Sequence, residues 1–380
     1  MRTGIEKITF MSLALAAGLF ALPGFAYSAE VPEFYKTTVE DVESVIRSVK
    51  KGSVRLEAVS PGGRPVYSVS YGEMDPYERT ANFQSAALSH SPEAFARKAP
   101  GAKPVFMVVS GVHGHEFETV VGALNLIRIM ETGRDFRGRA WPELAEKAAR
   151  YRVVIMPCCN PDGRARVPKN SFVGLPADTM TYYGQGTRAD GTMYRWPFVK
   201  EYQPMVADIG FLGGYHNDQG VNIQCDDMFF PLAEETKAIL RLAKLEAPDC
   251  VVNLHSHEPR GEFLISDFVP PAMKARNKEI ADRYLEVMEK EGVPACTFKR
   301  SGDRPATWAL DLTDALYHVS GALSMTFEGP HGCSDAPEFE IGYEGILDTH
   351  LIMYREMIRI GLEPGGFRGK EGVPRGNWKE

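Results

Sequence analysis

His113 and Glu116 stand three residues apart in Gly111-Val112-His113-Gly114-His115-Glu116, directly after the continuously apolar run Val105–Val109. An imidazole and a carboxylate one helical turn apart can face a single point. Zinc accepts both, and a catalytic zinc takes three protein ligands while keeping one position for water. A third ligand is available at the end of another apolar run, Cys250–Leu254, which leads into His255-Ser256-His257. The two-residue period of a strand puts His255 and His257 on one face, so spacing alone leaves both open. The zinc pattern HExxH does not apply, because His115-Glu116 is followed by Thr119 where it needs histidine. A further carboxylate, Glu328, closes the apolar run Leu323–Phe327. A carboxylate facing a metal-activated water can take its proton and deliver it to a leaving nitrogen. These residue types in this pattern point to metal-assisted hydrolysis.

The elements that must hold them read as alternating strands and helices. Thr38 is a plausible N-cap for a helix carrying Val39, Val42, Ile46 and Val49, and alternation at 54–58 and 67–71 about Pro61-Gly62-Gly63 predicts a hairpin. Residues 73–103 are polar and turn-rich, a surface excursion. Apolar strands are expected at 105–109, 152–156, 250–254 and 323–327, with helices through 120–130, 143–149, 232–245, 273–291 and 342–362. The predicted fold is a single α/β domain: a mixed, mostly parallel twisted sheet with helices on both faces. In such sheets ligands bind beyond the carboxyl ends of the strands, where the metal-competent residues cluster. Residues 160–230 form a long loop region, which in a compact domain points to function.

The 380 residues are 44% hydrophobic and 24% charged, with 43 Lys+Arg against 50 Asp+Glu. That is globular, and a net charge of −7 gives no basic footprint for nucleic acid. Beyond the N-terminus no apolar stretch reaches the 18 residues of a membrane span. Residues 1–29 read as a secretory signal peptide: Arg2 and Lys7, an apolar stretch from Ile8 to Leu22, a Pro23-Gly24 break, then small residues at Ala26, Ser28 and Ala29. The mature chain is therefore expected to be exported, periplasmic or secreted, with a catalytic domain over 30–362 and a loose tail over 363–380. Export permits disulfides, but the six cysteines show no CxxC, and Cys158 and Cys159 end an apolar run where buried thiols are the simplest reading.

Taken together, these motifs resemble the M14 zinc carboxypeptidases, or funnelins. Gly111-x-His113-x-x-Glu116 is similar to that family's first metal motif and Asn160-Pro161-Asp162-Gly163 to its NPDG turn. Asn253-Leu254-His255-Ser256 is similar to the strand of the third ligand, and Thr326-Phe327-Glu328 to the strand of the catalytic glutamate. The resemblance covers about residues 36–362. It implies one zinc held by His113, Glu116 and His255, with Glu328 as general base, and it is the resemblance that selects His255 over His257. Tyr317 and Asp314 fall where the family has an aromatic and an acidic residue, which implies a substrate-facing place for Tyr317; Thr313 falls near the position that sets side-chain preference.

The departures are specific. Where relatives show Gly-Val-Asp-x-Asn-Arg, this chain has Gly220-Val221-Asn222-Ile223-Gln224-Cys225. Asn222 would support a ligand histidine without a charge. Gln224 and Cys225 would stand for the Asn and Arg that grip a substrate's terminal carboxylate, and a thiol cannot replace a bidentate guanidinium. A transition-state arginine is sought among Arg164, Arg166, Arg188 and Arg195, with Arg195 in the nearest context; the family's mobile tyrosine has Ala306 near its place. His115 stands where many relatives carry arginine, and His331 follows Glu328 by three residues. The expectation is an exported zinc hydrolase acting on a peptide or peptide-like amide. Its rivals are an amidase or deacylase of the same type, acting on cell-wall peptide or an N-acyl amino acid, and a non-catalytic binding protein on the same fold.

Overall fold

The structure is a computed structural model that describes residues 30–257, 262–293, 309–335 and 341–368. The expected signal peptide, Cys296, Ala306 and residues 369–380 lie outside the described residues. Seven strands form the main sheet: β1 (Ser53–Val59), β2 (Pro65–Tyr71), β3 (Val105–Val109), β4 (Arg152–Met156), β5 (Cys250–Ser256), β6 (Glu262–Ile265) and β7 (Leu323–Gly329). Their spatial order is β1-β2-β4-β3-β5-β7-β6. The central four, β4-β3-β5-β7, are parallel, and β1, β2 and β6 add antiparallel edges. This is the mixed, mostly parallel sheet the sequence predicted. The short edge strand β6 was not anticipated.

The central strands are apolar throughout because both faces are covered. Phe106, Val108, Val252, Leu254, Met325 and Phe327 pack into a core with helices Val39–Ser48, Phe117–Thr132, Pro271–Glu291 and Tyr343–Gly361. Met107, Val109, Val154, Met156 and Val251 pack on the other face, with helices Glu234–Glu246 and Leu312–Ser320. Thr38 caps the first helix through a reciprocal pair with Asp41, as its sequence suggested. Residues 73–103 are more than surface chain, since Phe83, Ala86 and Phe95 make a small core of their own.

The expected tail boundary at 362 needs correction. Residues 363–368 are packed, because Phe367 is apolar and buried in the main core and Arg276 donates to the Gly366 carbonyl at 2.7 Å. Cys158, Cys159 and Cys250 are buried thiols, and Cys225 is a half-buried one. No helix among the described residues is long and apolar enough to cross a membrane.

Candidate metal centre

Strand β3 delivers the first two ligands. After Val109 the chain turns at Gly111 (φ +62°), a left-handed conformation that glycine takes without strain. The Glu116 amide then donates to the His113 carbonyl at 3.2 Å, which folds the pair onto one side immediately before helix Phe117–Thr132. Gly114 is needed for a different reason: a Cβ there would lie 2.0 Å from the Arg164 nitrogen. Its bareness lets the NPDG turn press against the metal motif. Asn160 caps the short helix Pro161–Arg166 by accepting from Gly163 at 2.8 Å. Asp162 accepts from Ser60, the Gly62 amide, Arg64 and the Asp218 amide, tying the β1–β2 hairpin to the loop after residue 213.

His255 comes from β5, beside β3. Asn253 and His255 follow Val251 on the face covered by helices Glu234–Glu246 and Leu312–Ser320, and Thr326 and Glu328 of β7 pair with them in parallel register. Paired residues of adjacent strands point to the same side, so Glu328 stands next to His255 about 5 Å away at the backbone. The strand ends at Ser256, and His257 is exposed beyond it.

His113, Glu116 and His255 are buried, with one donor atom from each within 4.8 Å of the others. The two Nδ1 atoms are 3.2 Å apart; Glu116 Oε1 lies 2.7 Å from His113 Nδ1 and Oε2 3.0 Å from His255 Nδ1. Two nitrogens bound tetrahedrally to one zinc at 2.0–2.1 Å stand about 3.3 Å apart, so the donor set fits that ion. The histidines' far nitrogens are also provided for. His113 Nε2 is 3.1 Å from Asn222 Oδ1 and His255 Nε2 is 3.2 Å from Gln224 Oε1. Amide oxygens accept N–H there, which leaves each Nδ1 lone pair turned inward. Burial pushes both imidazoles down; facing Glu116 and Glu328, His255 is carried back above its ordinary value. The Glu116 carboxyl is held well below the usual range by the two histidines, against the burial that pushes it up. Burial raises Glu328 to about 7, with His255 opposing and Glu116 and Glu262 adding. A carboxyl near that value exchanges protons readily at neutral pH.

Comparison with known proteins agrees with this geometry. The family model for zinc carboxypeptidases, Peptidase_M14, matches residues 52–352. The chain belongs to the zinc carboxypeptidase family. Among solved structures, a metallo-carboxypeptidase from Burkholderia cenocepacia superposes with a TM-score of 0.52 at 17% identity, covering 84% of this chain and 68% of that one. Bovine thrombin-activatable fibrinolysis inhibitor, solved in complex with tick carboxypeptidase inhibitor, gives 0.52 at 12% identity, covering 86% and 97%. At such identities the likeness is one of fold. No curated protein sequence matches. The chain is thus a zinc carboxypeptidase-like hydrolase, and the residues around its cluster show how far it departs from the family pattern.

Gln224, expected to face substrate, is buried with its amide turned inward. Its oxygen accepts from Asn253 at 2.8 Å and faces His255, and its nitrogen points to Thr313 Oγ1 at 3.5 Å. Thr313 in turn bonds Asn253 and Thr326, so its hydroxyl is saturated. Asn222 stands beside His113 as the pattern implied, locked by Gln203 through both backbone groups. Burial pushes the Cys225 thiol up, and the Lys200 charge opposes that rise. Tyr317 is half-buried with its ring edge-on to Phe83 at 5.2 Å, packed against the small core of the 73–103 excursion.

The candidate transition-state arginines are all engaged elsewhere. Arg195 is 58% exposed and paired with Asp178 at 2.9 Å. Buried Arg164 donates to the carbonyls of Thr37, Val167 and Lys169. Arg166 holds the carbonyls of Gly213 and His216, and Arg188 lies against Tyr194 and Asp208. His115 and His331 are both buried; their rings are stacked 6.2 Å apart, and His331 Nδ1 is 3.1 Å from Glu118 Oε2. Sequence reasoning missed Tyr215. Its ring stacks on His113 at 4.1 Å and on His115 at 5.0 Å. The one available signal was an aromatic residue after Gly213-Gly214 in a loop already marked as functional.

Proposed function

We propose that this chain is an exported hydrolase with one zinc, cleaving a peptide or peptide-like amide with Glu328 as general base. The observation that carries the reading is the convergence of His113 Nδ1, Glu116 and His255 Nδ1 at zinc spacing, beside Glu328 in strand register. A zinc ion held there would lower the pKa of a water towards about 7 and polarise a carbonyl. Glu328 accepts a proton from the attacking water and returns it to the nitrogen as the C–N bond breaks. The far-side amides of Asn222 and Gln224 keep the imidazoles oriented. Export is supported by the leader-type composition of residues 1–29.

A second reading keeps the chemistry and changes the substrate. With Gln224 turned to His255 and a thiol at 225, the Asn222–Cys225 turn offers no bidentate group for a terminal carboxylate. That favours amidase or deacylase action, on cell-wall peptide for instance, over strict carboxypeptidase action.

The test is Glu328→Gln. It keeps the shape but accepts no proton, so turnover falls by at least about 10²-fold with zinc content unchanged. An active Glu328→Gln enzyme contradicts the mechanism.

A further inference from the structure

Amide hydrolysis builds negative charge on the carbonyl oxygen, and a donor aimed at that oxygen is commonly the largest protein contribution to the rate. The four arginines of the loop region are engaged with other partners, as described above, so none of them is assigned as that donor. The ring of Tyr215 lies directly over the ligand His113.

The backbone around Tyr215 is fixed from several directions. Gly214 N donates to the Tyr183 carbonyl at 2.9 Å and Tyr215 N to the Gly184 carbonyl at 3.0 Å. The Gly114 amide donates to the Gly214 carbonyl at 2.7 Å, and Arg166 Nη1 to the carbonyls of Gly213 at 2.9 Å and His216 at 2.8 Å. A Cβ at Gly213 would lie 2.2 Å from the Gly184 oxygen, so the loop sits against the 177–185 helix as closely as backbones allow. The ring it presents lies over His113 and His115, at 29° and 25° between planes. Tyr215 is only half-buried, and among the described residues its hydroxyl has no hydrogen-bond partner. The face of that ring covers His113, so the Tyr215 side chain borders the cluster at its first ligand.

Resting on the hydrolase reading above, we propose that Tyr215 is a catalytic residue whose hydroxyl donates a hydrogen bond to the substrate's carbonyl oxygen as it becomes an oxyanion. The water oxygen bonds to the carbonyl carbon, the C–N bond breaks, and the proton travels on Glu328; Tyr215 keeps its own proton throughout. A neutral donor there leaves recognition of the substrate's ends to other groups.

The test compares wild type with Tyr215→Phe, which keeps the stacked ring and removes one oxygen. The probes are the best-hydrolysed member of a library of free-acid and amidated peptides, and a phosphinic peptide of the same sequence that mimics the tetrahedral species. Expected are a kcat lower by about 10²–10³-fold, a KM within about threefold, and phosphinic-peptide affinity by calorimetry lower by more than about tenfold. Zinc content should stay unchanged. A kcat within threefold of wild type, a loss confined to KM, or a loss of zinc overturns the proposal and leaves Tyr215 as packing for His113. If wild type hydrolyses no member of the library, the hydrolase reading fails first and this assignment with it, a result distinct from an active Tyr215→Phe enzyme.

Discussion

The ligand cluster and the Asn222–Cys225 turn are one hydrogen bond apart, yet they hold to the family pattern to opposite degrees. In the cluster, three side chains keep both identity and geometry, with the Nδ1 atoms 3.2 Å apart. In the turn, both residues that stand for the family's carboxylate-gripping pair differ, and Gln224 faces inward to His255, as Asn222 faces His113. The difference follows from what each region must satisfy. A metal tolerates only a few donors at fixed distances. A substrate site need only match its own substrate, and an amide at 224 that does not grip a carboxylate can orient His255.

The largest expected effect lies in the cluster. His255→Ala should lower zinc occupancy by orders of magnitude, whereas His257→Ala, beyond the strand end, should leave it unchanged. Elemental analysis giving the reverse order would move the third ligand and dissolve the cluster as described. The turn should give a smaller effect on the same quantity. Gln224→Ala removes the oxygen behind His255 and should weaken zinc binding by about 10–100-fold, while Cys225→Ser should not. A metal-competition titration in which Gln224→Ala binds zinc like wild type would return Gln224 to the substrate face.

Much of the cluster was legible beforehand for a physical reason. Strands covered on both faces must be apolar, so Val105–Val109, Cys250–Leu254 and Leu323–Phe327 stood out, and the polar residues ending them had to lie at the sheet's ligand-binding edge. His113, Glu116, His255 and Glu328 are all such residues. The choice of His255 over His257 was not legible from period, because where β5 stops depends on β7 beside it. Residues 160–230 were the least readable. They hold the short helices Pro161–Arg166 and Ala177–Gln185, and their shape is set by hydrogen bonds between distant segments, such as Asp162 to Gly62 and Tyr215 to Gly184. Periodicity carries no trace of such contacts. Tyr215 and the inward turn of Gln224 were hidden for that reason.

Under the proposed function the hydrolytic cluster is intact, while the Asn222–Cys225 turn no longer grips a substrate carboxylate. Lys200, near Cys225, remains as a half-buried ammonium without a fork, and an ion pair of that kind is worth about 0.2–1 kcal/mol. The direct measurement is kcat/KM for the same peptide with a free C-terminal acid and with a C-terminal amide. The expected difference is less than about tenfold, or about 1.4 kcal/mol. A loss of about a thousandfold on amidation would contradict it, showing a bidentate cation at work and placing this chain among strict carboxypeptidases.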